Sequence, residues 1–101
     1  MKTVSVEVSV TGDDIKNGIV SDAQNCAVHL AFRRVLKSGL YVQVGCGELY
    51  IREIETTDKR VCVHLPEEVS EFIWAVDAKE SPDPITFKAD VPVKYLAGVS
   101  P

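Results

Sequence analysis

Residues 3–10 read Thr-Val-Ser-Val-Glu-Val-Ser-Val, with valine at every even position. Successive side chains of an extended chain point to opposite sides, so strict alternation of β-branched residues specifies a strand buried on one face. The run predicts that Val4, Val6, Val8 and Val10 face a core while Ser5, Glu7 and Ser9 face water. A strand polarised in this way needs a second layer to cover its valines. With 101 residues, 46% of them hydrophobic, the chain is expected to supply that layer itself, as a single domain over residues 1–101. The same composition excludes intrinsic disorder, and no apolar run reaches the roughly 18 residues of a membrane-spanning helix.

Gly12-Asp13-Asp14 ends the strand, and Asp13 to Asn17 predicts one helical turn closed by a left-handed Gly18. A main helix is expected over Asp22 to Lys37. Ser21 and Gln24 have capping-box spacing, and Ala23, Cys26, Ala27, Leu30, Ala31 and Val35 form an apolar face, with Phe32 beside them. Ala23, Ala27 and Ala31 recur every four residues, which lets a helix lie close to a sheet. Leu40 to Val44 and Leu49 to Ile54 alternate again, joined by a Gly45-Cys46-Gly47 turn, and Arg60 to Leu65 follows a turn at 56–59. Pro66-Glu67-Glu68 opens a second helix, with Val69, Phe72, Ile73 and Val76 as its core stripe. The Pro82-Asp83-Pro84 loop leads to a last strand, Ile85 to Val91, ended or confined to an edge by Pro92, and the tail 95–101 is expected to fray. The order β-α-β-β-β-α-β predicts an α+β fold: a mostly antiparallel sheet of about five strands with two helices packed on one face.

Eleven Lys and Arg stand against fifteen Asp and Glu, a formal charge of −4. That balance argues against general nucleic-acid binding, which needs clustered positive charge. The charged, alternating start is not a signal peptide, and an odd number of cysteines (Cys26, Cys46 and Cys62) predicts reduced thiols in a cytoplasm.

Four groups of residues could carry chemistry. Cys26-x-x-His29 on a helix and Cys62-x-His64 on a strand each place two metal-capable side chains on one face, but zinc requires four ligands and Cys26 falls in the apolar stripe. Core and surface roles explain both pairs, and no metal or other cofactor is implied. Cys46 between two glycines could serve as a nucleophile with His29 or His64 as base, although the triplet is also simply a turn. His29, Arg33 and Lys37 recur every four residues with Arg34 beside them, a stripe suited to a phosphate, a nucleotide or an acidic partner. The ordinary alternative is a solvated helix face whose cations complement the helix C-terminus. Trp74 lies nearly opposite the core stripe of the second helix, the position of an anchor for a partner or a stacked base, unless the proline loop or the tail covers it. Glu67, Glu68 and Glu71 are explained by the helix start, and Asp13, Asp14 and Asp22 by turns and caps.

Three stretches, Val4 to Val8, Asp13 to Gly18 and Asn25 to Arg34, together with Leu65 to Val69, Phe72-Ile73, Val76 to Ala78 and the Pro84 to Pro92 segment, resemble a family of small uncharacterised phage and prophage proteins. Family members often carry a second cysteine where this chain has Ala23 and a proline where it has Ala27, departures that weaken any thiol or metal role shared with the family. It implies a context: small phage accessory proteins commonly act by binding, blocking a host defence protein or sequestering a nucleotide signal. The expectation is a non-enzymatic, cytoplasmic phage accessory protein, with a small thiol- or metal-dependent enzyme or a homo-oligomeric structural module as alternatives. Nucleotide sequestration further predicts that His29, Arg33 or Arg34 borders a pocket shared with an aromatic such as Trp74 or Tyr50.

Overall fold

A computed structural model describes residues 2–19, 22, 24–45, 47–54, 60–80 and 82–97. The elements are β1 (Thr3–Val10), α1 (Gly12–Asn17), α2 (Ala27–Arg33), β2 (Leu40–Val44), β3 (Glu48–Glu53), β4 (Val61–His64), α3 (Glu67–Asp77) and β5 (Ile85–Pro92), followed by a turn of 3-10 helix at Val93–Tyr95. The fold is α+β, and every strand pairing is antiparallel. The five strands divide into two sheets, a β1–β5 ribbon and a β2–β3–β4 meander. β4 offers only four residues before Leu65–Pro66 carries the chain into α3, whereas β5 pairs with β1 over eight. The ribbon therefore forms its own ladder.

The valine alternation orients β1 largely as its sequence dictates. Val8 and Val10 are fully buried and Val6 packs on the core, but Val4 is 42% exposed where the ribbon runs past the covering layer. The core is one contiguous cluster, to which β1 gives Val8 and Val10, α2 Ala27, Val28, Ala31 and Phe32, the meander Val44, Leu49, Ile51 and Val63, α3 Val69 and Phe72, and β5 Phe87, Ala89 and Val91. Burying each of the larger side chains contributes about 1.5–3 kcal/mol relative to exposure. Phe32 meets Phe87 with ring centroids 5.8 Å apart at 59°, a tilted contact that fixes α2 against the ribbon.

The predicted main helix over residues 22–37 is shortened at both ends. Asp22 accepts from Gln24 N at 2.9 Å and from the Asn25 side chain at 3.3 Å, and its carbonyl takes Cys26 N at 2.9 Å. This side-chain turn competes with helical hydrogen bonding, so α2 begins only at Ala27, with Cys26 at its N-cap. Ser21 and Ala23, assigned to the helix start from sequence, lie outside the described residues. At the other end Lys37 N donates to Tyr95 O, Ala97 N donates to Val35 O, and Leu36 bridges to Leu96. These long-range bonds take the chain out of the helix, so Lys37 is not on α2. Gly39 then turns into β2 with φ +81°, a conformation that L side chains resist.

Gly18 also differs from expectation. It is extended (φ −70°, ψ 149°) rather than left-handed, and its role is closeness. A Cβ there would stand 2.6 Å from Ala27 N and 2.9 Å from Asp14 O, so glycine lets the end of α1 abut the start of α2. Both helical ends are thus braced before α2 meets the meander.

Candidate functional site

The gap between α2 and the outer edge of β2 forms a cleft of about 480 Å³. Gly39 O accepts from Ile54 N and Gly45 N donates to Glu48 O, so in the antiparallel register the odd-numbered residues of β2 bond to β3. The backbone groups of Leu40, Val42 and Val44 consequently point away from β3, toward α2. His29 caps one of them, its Nε2 donating to Val42 O at 3.0 Å. That bond fixes the tautomer, because a carbonyl oxygen only accepts. The other ring nitrogen, Nδ1, is buried without a protein partner among the described residues, and the residue is only 7% exposed. Burial, and then the neighbouring Arg33 charge, push the His29 pKa below its ordinary 6.5, so the ring is neutral at pH 7.

Of the predicted basic stripe, His29, Arg33 and Lys37 line this cleft together with Tyr41. His29 contributes no charge, leaving Arg33 and Lys37 as the cations. Arg33 reaches back over the cleft wall to Gln24 O at 2.7 Å and Asn25 Oδ1 at 3.0 Å, both through Nη2, which holds the guanidinium at the rim. Lys37 stands 3.6 Å from Glu53, an exposed pair that contributes little to stability and leaves the ammonium near the opening. The described lining residues include no carboxylate.

Arg34 points elsewhere. Its guanidinium makes a two-pronged bond to Asp14, at 2.7 and 2.5 Å, and donates to Ser9 O at 2.7 Å. Asp14, only 5% exposed, also accepts from Thr11 N at 2.8 Å in the capping box of α1. The Arg34 bond holds the Asp14 carboxyl below the usual carboxylate range. Arg34 is a structural tie between α1, β1 and α2, and it does not line the cleft.

Trp74 is out of the core, as its helical position predicts, and is 71% exposed. It borders a separate shallow hollow with Glu67, Ser70, Glu71 and Ala75, whose described lining includes neither Arg33 nor Lys37. The aromatic of the cleft is Tyr41, whose hydroxyl accepts from Gln24 Nε2 at 2.5 Å. Sequence reasoning missed it. Its signal was a tyrosine on the polar face of an alternating strand immediately after the Lys37-Ser38-Gly39 turn.

Cys26 and His29 do not converge. Cys26 borders an apolar slot between Ile19 and Ile73, and burial pushes its thiol pKa up, while His29 turns to β2. Cys62 donates to Glu48 Oε2 at 3.1 Å, and that carboxylate raises its pKa, so neither thiol is primed as a nucleophile. Cys46 lies outside the described residues. Among the described residues no group of three or more His, Cys, Asp or Glu is placed to hold a metal, and no helix is long and apolar enough to cross a membrane. Compared with family models, curated proteins and solved structures, the chain matches none.

Proposed function

We propose that this chain is a non-enzymatic binding protein whose α2–β2 cleft sequesters a small anionic ligand of the nucleotide class. The observation that carries the reading is the meeting of Arg33, Lys37 and the Tyr41 ring around one opening with no carboxylate among its described lining residues. Arginine and lysine supply phosphate donors, and a tyrosine 39% exposed supplies a face for a base. A neutral His29 suits this role, since it shapes the wall without adding a proton-dependent charge. On the resemblance to small phage proteins, such a binder would act in an infected host's cytoplasm, where withdrawing a nucleotide signal would blunt a defence response.

The test is a thermal-shift and calorimetric screen of linear and cyclic nucleotides against the wild type and the Arg33→Ala and Lys37→Ala variants. A ligand present at 100 times its Kd adds about 2.7 kcal/mol to stability. In a chain of this size that raises Tm by about 10 °C or more. The shift is expected to shrink in both variants. Absence of a shift with every nucleotide sinks the reading.

A second reading, inhibition of a host protein, is favoured by the exposed indole of Trp74 on the far side of α3. It predicts that Trp74→Ala abolishes capture of a partner from infected cells without changing Tm. Capture that survives the substitution removes Trp74 as the anchor.

A further inference from the structure

The outer face of the meander carries a second feature continuous with the cleft. Alternation puts Tyr41 and Gln43 of β2, Glu48, Tyr50 and Arg52 of β3, and Cys62 and His64 of β4 on the side away from the core. Two tyrosines in this set each carry an arginine over the ring: Arg52 Cζ lies 5.0 Å from the Tyr41 centroid, and Arg60 Cζ lies 4.5 Å from that of Tyr50. In the register Tyr41 faces Arg52 and Gln43 faces Tyr50, so the two tyrosines are diagonal neighbours on adjacent strands. Tyr41 belongs to both surfaces, lining the cleft and starting the row.

We infer that the ligand of this protein spans both surfaces and is a dinucleotide unit, two nucleobases joined by a phosphodiester. One base lies at Tyr41, the second at Tyr50, and the phosphates lie along Arg33, Lys37, Arg52 and Arg60. The inference rests on the nucleotide reading of the cleft. It follows from charge and ring complementarity: aromatic side chains on an open sheet face stack bases whatever their identity, and guanidinium planes both stack on bases and pair with phosphate. Diagonal strand neighbours are about 7–8 Å apart, so the two bases are splayed onto separate rings and not stacked on one another. The row also has an end. Beyond Tyr50 stands Glu48, whose Oε2 accepts from the Tyr50 hydroxyl at 2.5 Å and from Cys62. That carboxylate repels a further phosphate, which limits the platform to two bases and reconciles it with a chain of net charge −4. A platform of this length gives no general nucleic-acid binding.

The experiment is calorimetric titration of the full chain with adenosine 5′-monophosphate, the linear dinucleotide pApA and the cyclic adenine dinucleotide. Wild type, Tyr50→Ala and Tyr50→Phe are compared, each checked for an unchanged Tm. The expected result is that one of the dinucleotides binds at least about tenfold more tightly than the mononucleotide, the stacking contribution of one base. Tyr50→Ala should abolish that gain while leaving mononucleotide affinity unchanged, and Tyr50→Phe, which keeps the ring, should preserve it. Which dinucleotide gains tells a linear source from a cyclic one. Equal affinity for mononucleotide and both dinucleotides overturns the inference and leaves the cleft reading standing. A dinucleotide gain indifferent to Tyr50→Ala overturns it as well. Failure of the mononucleotide and both dinucleotides to bind overturns this inference together with the reading of the cleft on which it rests.

Discussion

Replacing Asp14 by alanine removes the acceptor of three hydrogen bonds, from Thr11 N at 2.8 Å and from Arg34 Nη1 and Nη2 at 2.7 and 2.5 Å. The Thr11 N-cap bond to the backbone N of residue 14 survives, and loss of the capping-box return bond to Thr11 N costs about 1 kcal/mol, the net worth of one hydrogen bond. The guanidinium bonds are charge-assisted and worth about 1.5–3 kcal/mol, taken near the lower end because the Arg34 side chain is 50% exposed and its freed charge can be hydrated. The expected loss is therefore about 3 kcal/mol, a fall in Tm of about 12–24 °C. Denaturant unfolding of Asp14→Ala, Arg34→Ala and the double variant measures it, with a coupling energy above about 1 kcal/mol expected. Asp13, exposed in the same helical turn, is the internal control, and its alanine variant should change stability by less than about 0.5 kcal/mol. The same contact sets a pH dependence. The folded pKa of Asp14 lies below its ordinary 3.8, so its contribution is complete above that value and is lost as pH falls through the folded pKa. Asp14→Asn should remove this acid-limb loss. An alanine variant as stable as wild type, or fully additive single substitutions, would refute the tie between α1 and α2.

His29 gives a second and separate pH window. Its folded pKa is depressed below 6.5, so the unfolded chain binds the extra proton and stability falls as pH drops from about 6.5 to the folded value; His29→Gln, which keeps a donor for Val42 O, should flatten that segment of a Tm-against-pH curve. Gly18→Ala forces a methyl against the Ala27 backbone and should cost about 1–3 kcal/mol by urea unfolding, whereas Gly12→Ala, with nothing within 4 Å of the new Cβ, should be neutral or slightly stabilising. The only tryptophan, Trp74, should be readily quenched by acrylamide in the native protein, and shielding of its emission would contradict its exposed position.

Periodicity in the sequence determined the strands and their faces, because an alternation of valines or of Leu49 and Ile51 admits one burial pattern. The second helix was equally legible: Val69 and Phe72 are buried and Trp74 is outside. The boundaries of α2 were not. Asp22 and the Leu36–Leu96 bridge act through a local side-chain turn and a contact distant in sequence, and neither leaves a trace in helical periodicity. The division into two sheets was hidden for the same reason, since pairing partners are set by the whole assembly. At the site, the four-residue spacing of His29, Arg33 and Lys37 picked out three residues that line one cleft, though not as a single helical stripe. Lys37 arrives through the turn after α2, and Arg34 is claimed by Asp14, a carboxylate twenty residues away in sequence. Tyr41 escaped notice because a half-exposed aromatic on a strand has no periodic signature of its own.

The pairing of β1 with β5 carries a consequence for how the chain comes to be folded. Even its least separated partners, Val10 and Ile85, bracket the whole of α1, α2, the meander and α3, whereas the meander pairs Val44 with Leu49 across a short turn. Loop-closure entropy makes the local ladder fast and the distant one slow. As the chain leaves the ribosome β1 emerges well before its partner β5, so its valines wait unpaired until Pro92 has been made. An early-formed meander with α2 against its edge would hold the cleft walls in place before the ribbon closes. Substitutions at Leu49 or Ile51 should then slow folding, while those at Phe87 or Val91 should chiefly hasten unfolding.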